Sequence, residues 1–227
     1  MHYNYGLLRR HIIMNKNALS AILMTLFLFI SCNNSGGIKE GQASRSDGTV
    51  IDLAKVSEKI KGTIAFAEAA KEVEVLVKSI DELAESIGKK IQNSDTLATE
   101  ANHNGTLIAG AFQIALTIEN KLKALGLEAS KFSDELKAKV NDANSKSRLF
   151  LNKIKGEHSD LGKEGATDAH AKEAIKTDNT TKTKGATELL GLKESVKVLM
   201  GSVSTLLESA INELTTPAPA AKKSSES

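Results

Sequence analysis

One cysteine, five histidines and 28 carboxylates are the side chains of this 227-residue chain that could do chemistry. Three of the histidines, His103, His158 and His170, lie in the body of the chain. None stands four residues from another, the spacing that would put two imidazoles on one helix face for a metal. His158 and His170 sit in polar connecting stretches, where a solvated ring is expected, so no metal site is predicted. Gly156-Glu-His-Ser-Asp-Leu-Gly162-Lys163-Glu164 has the outline of a phosphate loop. It carries five residues between the glycines instead of four, and Glu164 stands where a hydroxyl must hold magnesium. Glu68, Glu72, Glu74, Asp81, Glu82 and Glu85 alternate with lysines, the pattern of a solvated helix face. No catalytic constellation and no cofactor site emerges, so the chain is not expected to be an enzyme.

Cys32 is the exception. It closes a run from Ala18 to Ile30 that is almost wholly apolar and is preceded by Lys16. The core of that run, Ala21 to Ile30, is ten residues, about half of the roughly 20 that a membrane-spanning helix needs. A basic start, a short apolar core and a small residue before the cut make residues 1–31 a secretory signal peptide. Met14 begins a cleaner version of it, which marks residues 1–13 as an over-called start or an extended leader. Phe29-Ile-Ser-Cys32 resembles a bacterial lipobox, whose thiol is diacylated before cleavage and whose new amine is then acylated. The only covalent group expected is therefore lipid on Cys32, anchoring the chain to a membrane.

Cleavage would leave 196 residues with 27 basic and 28 acidic side chains, a net charge of −1 against +2 for the whole chain. The basic excess belongs to the leader and is no argument for nucleic acid. Aromatic platforms for bases are also missing, since only Phe66, Phe112, Phe132 and Phe150 remain after the leader and there is no tryptophan. Proline is absent until Pro217. A long proline-free span rich in Ala, Leu, Glu and Lys predicts an all-α domain.

Asn33 to Gly48 is polar and glycine-rich and reads as a disordered tether, reaching roughly 20–24 Å. The helical domain is expected over 49–215, with Thr49 and Asp52 at its first helix start. That helix is predicted to run to Ile87, about 55 Å at 1.5 Å per residue. Phe66, Val73, Ile80 and Ile87 recur every seven residues, with Ala69, Leu76 and Leu83 between them. A second helix is expected from Leu107 until Gly126 stops it, and a third from about Glu128 to Lys155. A short one over Asp168–Lys176 is capped by Thr167, and a last long one covers Ala186–Leu214. Residues 216–227 read as a disordered tail. Four long helices and one short one with matching stripes predict an elongated antiparallel bundle.

The first helix carries a second apolar stripe, Leu53, Val56, Ile60, Ile64 and Ala67, about 140° from the first on an ideal helix. Val75 extends it. An apolar second face suits a subunit seam, which predicts a homodimer with Ile60, Ile64 and Val75 at or beside the two-fold; a bend at Gly62, or a seam within one copy packed by the last helix, are the alternatives. Loops 88–106 and 156–185 are polar and are expected to carry contacts. Lys172, Lys176, Lys182 and Lys184 are the candidate contacts for a polyanionic ligand.

Many ordered blocks after Met14 resemble the outer surface protein C and variable small protein family of Borrelia surface lipoproteins. They include Asn17–Ser35, Ala70-Lys-Glu-Val-Glu74, Ser79-Ile-Asp-Glu82, Ile87-Gly-Lys-Lys-Ile91 and Asn102-His-Asn-Gly-Thr-Leu-Ile-Ala-Gly-Ala111. Further blocks are Asp160-Leu-Gly-Lys-Glu-Gly165, Thr167-Asp168, Ala171-Lys-Glu-Ala-Ile175 and Thr181-Lys-Thr-Lys-Gly-Ala186. Phe29, in place of leucine, also resembles the looser lipobox of spirochaetes. The resemblance implies a helical, dimeric lipoprotein on the outer membrane, a variable surface antigen involved in host or vector interaction and immune evasion. A single-ligand adhesin, binding a glycosaminoglycan or a plasma or vector protein, is the alternative. Asn144-Ser-Lys-Ser-Arg148 stands where the outer surface protein C branch often has a second cysteine. That departure leans toward the variable small proteins.

Overall fold

Helix-forming residues unbroken by proline give a helical bundle, described by a computed structural model over residues 42–44, 50–93 and 95–215. The leader, Cys32, Lys16 and the tail after 215 lie outside these residues. The described residues group into two compact units, whereas the sequence reading takes 49–215 as one domain. One unit comprises Met1–Lys61 with Glu208–Ser227, and the other is Gly62–Leu207.

The first unit opens with a strand pair where the sequence predicts a tether and a helix cap. β1 (Gln42–Ser44) lies antiparallel to β2 (Val50–Asp52), with Ala43 opposite Ile51. Val50 and Ile51 are β-branched and favour this extended pairing. Asp52 therefore ends a strand, and α1 (Leu53–Ala84) begins one residue later, unbroken through Gly62.

In the second unit the buried stripe of α1, Phe66, Val73 and Ile80, repeats every seven residues as the sequence predicts, but the helix ends at Ala84 and Ile87 is buried in the turn that follows. Its companion row is Thr63, Ala70, Val77 and Ala84. Ala69, Leu76 and Leu83, expected to fill that role, are only half-buried against the core. Gly88 closes the helix end at φ 71°, a left-handed geometry that suits glycine.

The connection after Gly88 is not a plain loop. β3 (Lys89–Ile91) and β4 (Leu97–Thr99) form an antiparallel hairpin. Asn93 organises its turn, its Oδ1 accepting from the backbone N–H groups of Asp95 and Thr96, each at 3.1 Å. Helix α2 (Gly105–Ala129) follows and runs past Gly126. That glycine is a packing residue and does not end the helix: a Cβ there would lie 3.6 Å from Asn141 Oδ1 and 3.8 Å from Val140 Cγ1 of the next helix.

Helix α3 (Asp134–Gly156) starts six residues later than Glu128, because Ser133 caps it. Ser133 Oγ accepts from Leu136 N at 3.0 Å, and Asp134 and Glu135 oppose the helix dipole. Phe132 is thereby left in the turn, tilted against Phe66 with ring centroids 5.2 Å apart. A single turn, α4 (His158–Leu161), precedes α5 (Asp168–Ile175), in which Thr167 Oγ1 accepts from His170 N as expected of its cap. The last helix, α6 (Ala186–Thr215), matches its predicted span to one residue.

The pairings fix the directions. Gly126 faces Val140, Glu119 pairs with Arg148 at 4.0 Å, and Lys155 lies over the Phe112 ring, so α2 and α3 run antiparallel. Gly185 meets Ile154 and Phe150 while Gly191 meets Lys146, so α3 and α6 do too. Phe150, Leu151, Ile118, Leu122, Leu189, Leu192 and Leu199 fill the space between them. Among the described residues no helix is long and apolar enough to cross a membrane.

Candidate functional site

Loops 88–106 and 156–185, distant in sequence, meet at one end of the second unit. The joint is built on Asn104, which is 2% exposed although its side chain is wholly polar. Burying such an amide is costly unless each of its groups is paired, and here each is. Its Oδ1 accepts from Gly88 N at 2.9 Å. Its Nδ2 donates to Ala166 O at 3.1 Å and to Asp168 Oδ1 at 2.8 Å. Its backbone N–H also donates to Ala166 O, and Gly105 N donates to Glu164 O at 3.3 Å. Asn102, at φ 64°, completes a reciprocal pair: its N–H donates to Asp168 Oδ1 and its Oδ1 accepts from Asp168 N.

Two glycines make room for this joint. A Cβ on Gly88 would lie 2.6 Å from Asp168 Oδ2. On Gly105 it would press into the Lys163 carbonyl, 2.9 Å from its carbon and 3.1 Å from Glu164 Cα. The outcome is a polar latch that fastens the hairpin to the 163–168 loop and presents both on a fixed base.

The backbone N–H of Asn102, then the Asn104 amide, hold the Asp168 carboxyl below the usual aspartate value of 3.8. A group whose folded value is depressed stabilises the fold above its unfolded value and loses that contribution as pH falls. The latch is therefore expected to weaken below pH 3.8 and to be lost below the folded value of Asp168. Thermal unfolding against pH checks this: Asp168→Asn should flatten the acid limb, and an unchanged limb would contradict it.

A second charged cluster sits beside the latch. Lys184 Nζ bonds Asp160 Oδ2 at 2.7 Å and Glu157 Oε2 at 3.0 Å, and its side chain is only 14% exposed. Those two carboxylates push its ammonium above the usual lysine value, with Asp160 the larger influence. His170 Nδ1 lies 3.7 Å from Asp160 Oδ1. Lys176 is tied to Glu85 at 2.8 Å and faces Asp178 at 3.6 Å. Of the four lysines singled out by the sequence, Lys176 and Lys184 thus have their charge met within the chain. Lys172 is exposed on α5 and Lys182 is half-buried.

The three seam residues also separate. Ile60, in the first unit, is 6% exposed within a single copy. That leaves it little surface to offer a second copy. Ile64 is half-buried, and Val75 is 53% exposed. Among the described residues no group of three or more His, Cys, Asp or Glu could hold a metal ion.

Sequence reading missed Asn102, Asn104 and Gly105 as structural keystones. Asn-Gly before an apolar helix is a visible signal of a helix start, but the Ala166 and Asp168 partners of Asn104 lie 62 and 64 residues away.

The described residues thus form a helical bundle whose polar end loops are latched to each other. The chain belongs to a lipoprotein family, Lipoprotein_6, whose profile matches residues 50–220. Its relatives include outer surface protein C and variable small proteins. The chain is 51% identical over 207 residues to Outer surface protein C of Borreliella burgdorferi, covering 90% of this chain and 96% of that protein. It is 43% identical over 208 residues to Variable small protein 11 of Borrelia hermsii, covering 89% and 98%. Its fold is similar to the solved Variable Small Protein 1 of Borrelia turicatae, with a TM-score of 0.68 and 41% identity, covering 72% of this chain and 99% of that one. The leaning toward the variable small proteins drawn from Asn144–Arg148 gains nothing from these identities.

Proposed function

We propose that this chain is a lipid-anchored antigen on the outer surface of a spirochaete, held by acyl groups on Cys32. Its latched loops face outward as the surface that varies and meets host or vector. The observation that carries the reading is the match to proteins named outer surface protein C along nearly their whole length, joined to a cysteine at the end of the only leader-like segment. The loop architecture supports it. The latch residues are buried or internally bonded, so the exposed hairpin and the 169–183 surface can change sequence without loosening the base. Protease treatment of intact cells tests the reading. The loop-bearing unit should be digested with the outer membrane unbroken; protection until lysis would contradict surface display.

A polyanion-binding adhesin would have to draw on Lys172 and Lys182, because Lys176 and Lys184 already serve internal carboxylates. The coat reading is therefore preferred. Binding to an immobilised polyanion that weakens with salt would favour the adhesin instead.

The same reading includes a homodimer through α1, now resting on Ile64 and Val75. Val75 is apolar and exposed on a helix whose opposite row is committed to the core. Sedimentation of the chain from Ser35 onward is expected to show dimers at tens of micromolar and monomers for Ile64→Asp, provided the variant keeps its helicity. A wild-type monomer, or an Ile64→Asp protein that unfolds, would overturn the seam.

A further inference from the structure

We propose that Asn104–Gly105 is a site of spontaneous covalent modification, deamidation to aspartate and isoaspartate, that is open in the unfolded chain and closed by folding. It is the only Asn-Gly pair in the sequence. Glycine offers no side chain to hinder attack by its own amide nitrogen, and the latch requires both residues. Asparagine is needed at 104 because one side chain must accept from Gly88 N and donate to Ala166 O and Asp168 Oδ1. Glycine is needed at 105 because a Cβ would strike the 163–164 backbone. The residues that make the joint are thus the pair most prone to this reaction.

The chemistry needs only water. The Gly105 nitrogen gives up its proton to solvent base and attacks Asn104 Cγ. A new N–Cγ bond forms, the Cγ–Nδ2 bond breaks, and nitrogen leaves as ammonia after taking up a proton. Water then opens the resulting five-membered imide. Opening at Cγ yields aspartate, and opening at the backbone carbonyl yields isoaspartate, in which the chain runs through Cγ. No oxidant or reductant takes part.

The fold blocks the first step three times over. Gly105 N–H is occupied by Glu164 O, and the Asn104 amide is held by three partners. The pair also starts α2, with Asn104 at ψ 4°, and ring closure would require rotating that bond out of place. Reaction must therefore pass through local opening of the latch, and its rate follows the population of the open form.

Modification is also self-marking. A carboxylate at 104 would set an acceptor against Ala166 O and the Asp168 carboxylate, where Nδ2 now donates. The isoaspartyl product adds a backbone methylene directly before a glycine that has no room for even a Cβ. A chain that reacts before it folds, or after the latch opens, cannot close the joint again. This inference is independent of the surface-antigen reading.

The test follows the peptide spanning 104–105 by mass spectrometry, with the full chain kept in mild detergent at slightly alkaline pH, native or in guanidinium. Conversion of amide to acid at Asn104 is expected to be on the order of 100-fold slower in the native chain. Within the unfolded chain it should outpace Asn93–Ser94 and Asn144–Ser145. Equal native and unfolded rates would overturn the gating, and an unfolded Asn104 no faster than those two would overturn the site. The consequence is read on Asn104→Asp, which should lose hydrogen-exchange protection at the Gly88 and Gly105 amides while the α6 core amides stay protected. Retained protection at both would show that the latch tolerates the product and would sink that part of the proposal.

Discussion

Gly105→Ala is expected to destabilise the protein by about 3–5 kcal/mol, against the usual direction for this substitution in a helix. A solvent-facing helical glycine replaced by alanine gains about 1 kcal/mol, because alanine loses less backbone freedom on folding. At 105 that gain is overwhelmed. The new methyl would meet the carbonyl group of Lys163 and Glu164 Cα, which are backbone atoms and cannot rotate away as a side-chain end would. Overpacking of this kind costs about 1–3 kcal/mol. Relief requires moving 163–166, which strips Gly105 N of Glu164 O and Asn104 of Ala166 O. Leaving such buried groups unpaired costs about 1–3 kcal/mol each. For a protein of this size the melting temperature should fall by roughly 6–20 °C. Gly110→Ala is the control, since nothing lies within 4 Å of a Cβ there on the same helix. It should be neutral or stabilising. If both variants behave alike, the close approach at 105 is not what holds the loops together.

The legible part of this fold was the part written in short-range periodicity. Leu189, Leu192, Val196, Leu199 and Val203 mark α6 by spacing alone, and all are buried. Thr167 before Asp168 announced α5 because the capping hydroxyl and its donor, the His170 N–H, lie within four residues of each other. Errors came where one residue type serves two physical purposes. Gly126 looks like a helix stop and is a close-packing site against Val140. Ser133-Asp134-Glu135 carried a sound cap signal, but Ala129 and Phe132 continued the apolar spacing across it and masked the break. Ile91 and Leu97 lie opposite each other in the β3–β4 hairpin yet are exposed, so no burial pattern betrayed the strands.

The candidate surface was legible in outline only. Polar composition identified the two loops, but it could not reveal that Asn104 joins them or that Lys184 is enclosed by Glu157 and Asp160. Charge counted along the sequence takes a lysine as available to a ligand. Whether it is available depends on carboxylates 24 and 27 residues away. The seam residues show the same limit: Ile60 and Val75 share an apolar character, but the fold buries one and exposes the other.

Lipid on Cys32, proposed above as the membrane anchor, is put to the test by metabolic labelling with a fatty-acid analogue. Each buried CH₂ contributes about 0.8 kcal/mol, so one chain holds a protein marginally and several hold it stably. No described helix can substitute as a membrane span. The wild-type chain should take up label and partition almost wholly with membranes. Cys32→Ser should take up none and should not be held by acyl chains, so that after alkaline washing nearly all of its processed form appears in the soluble fraction. A Cys32→Ser protein that still incorporates the label and resists washing would rule out Cys32 as the anchor.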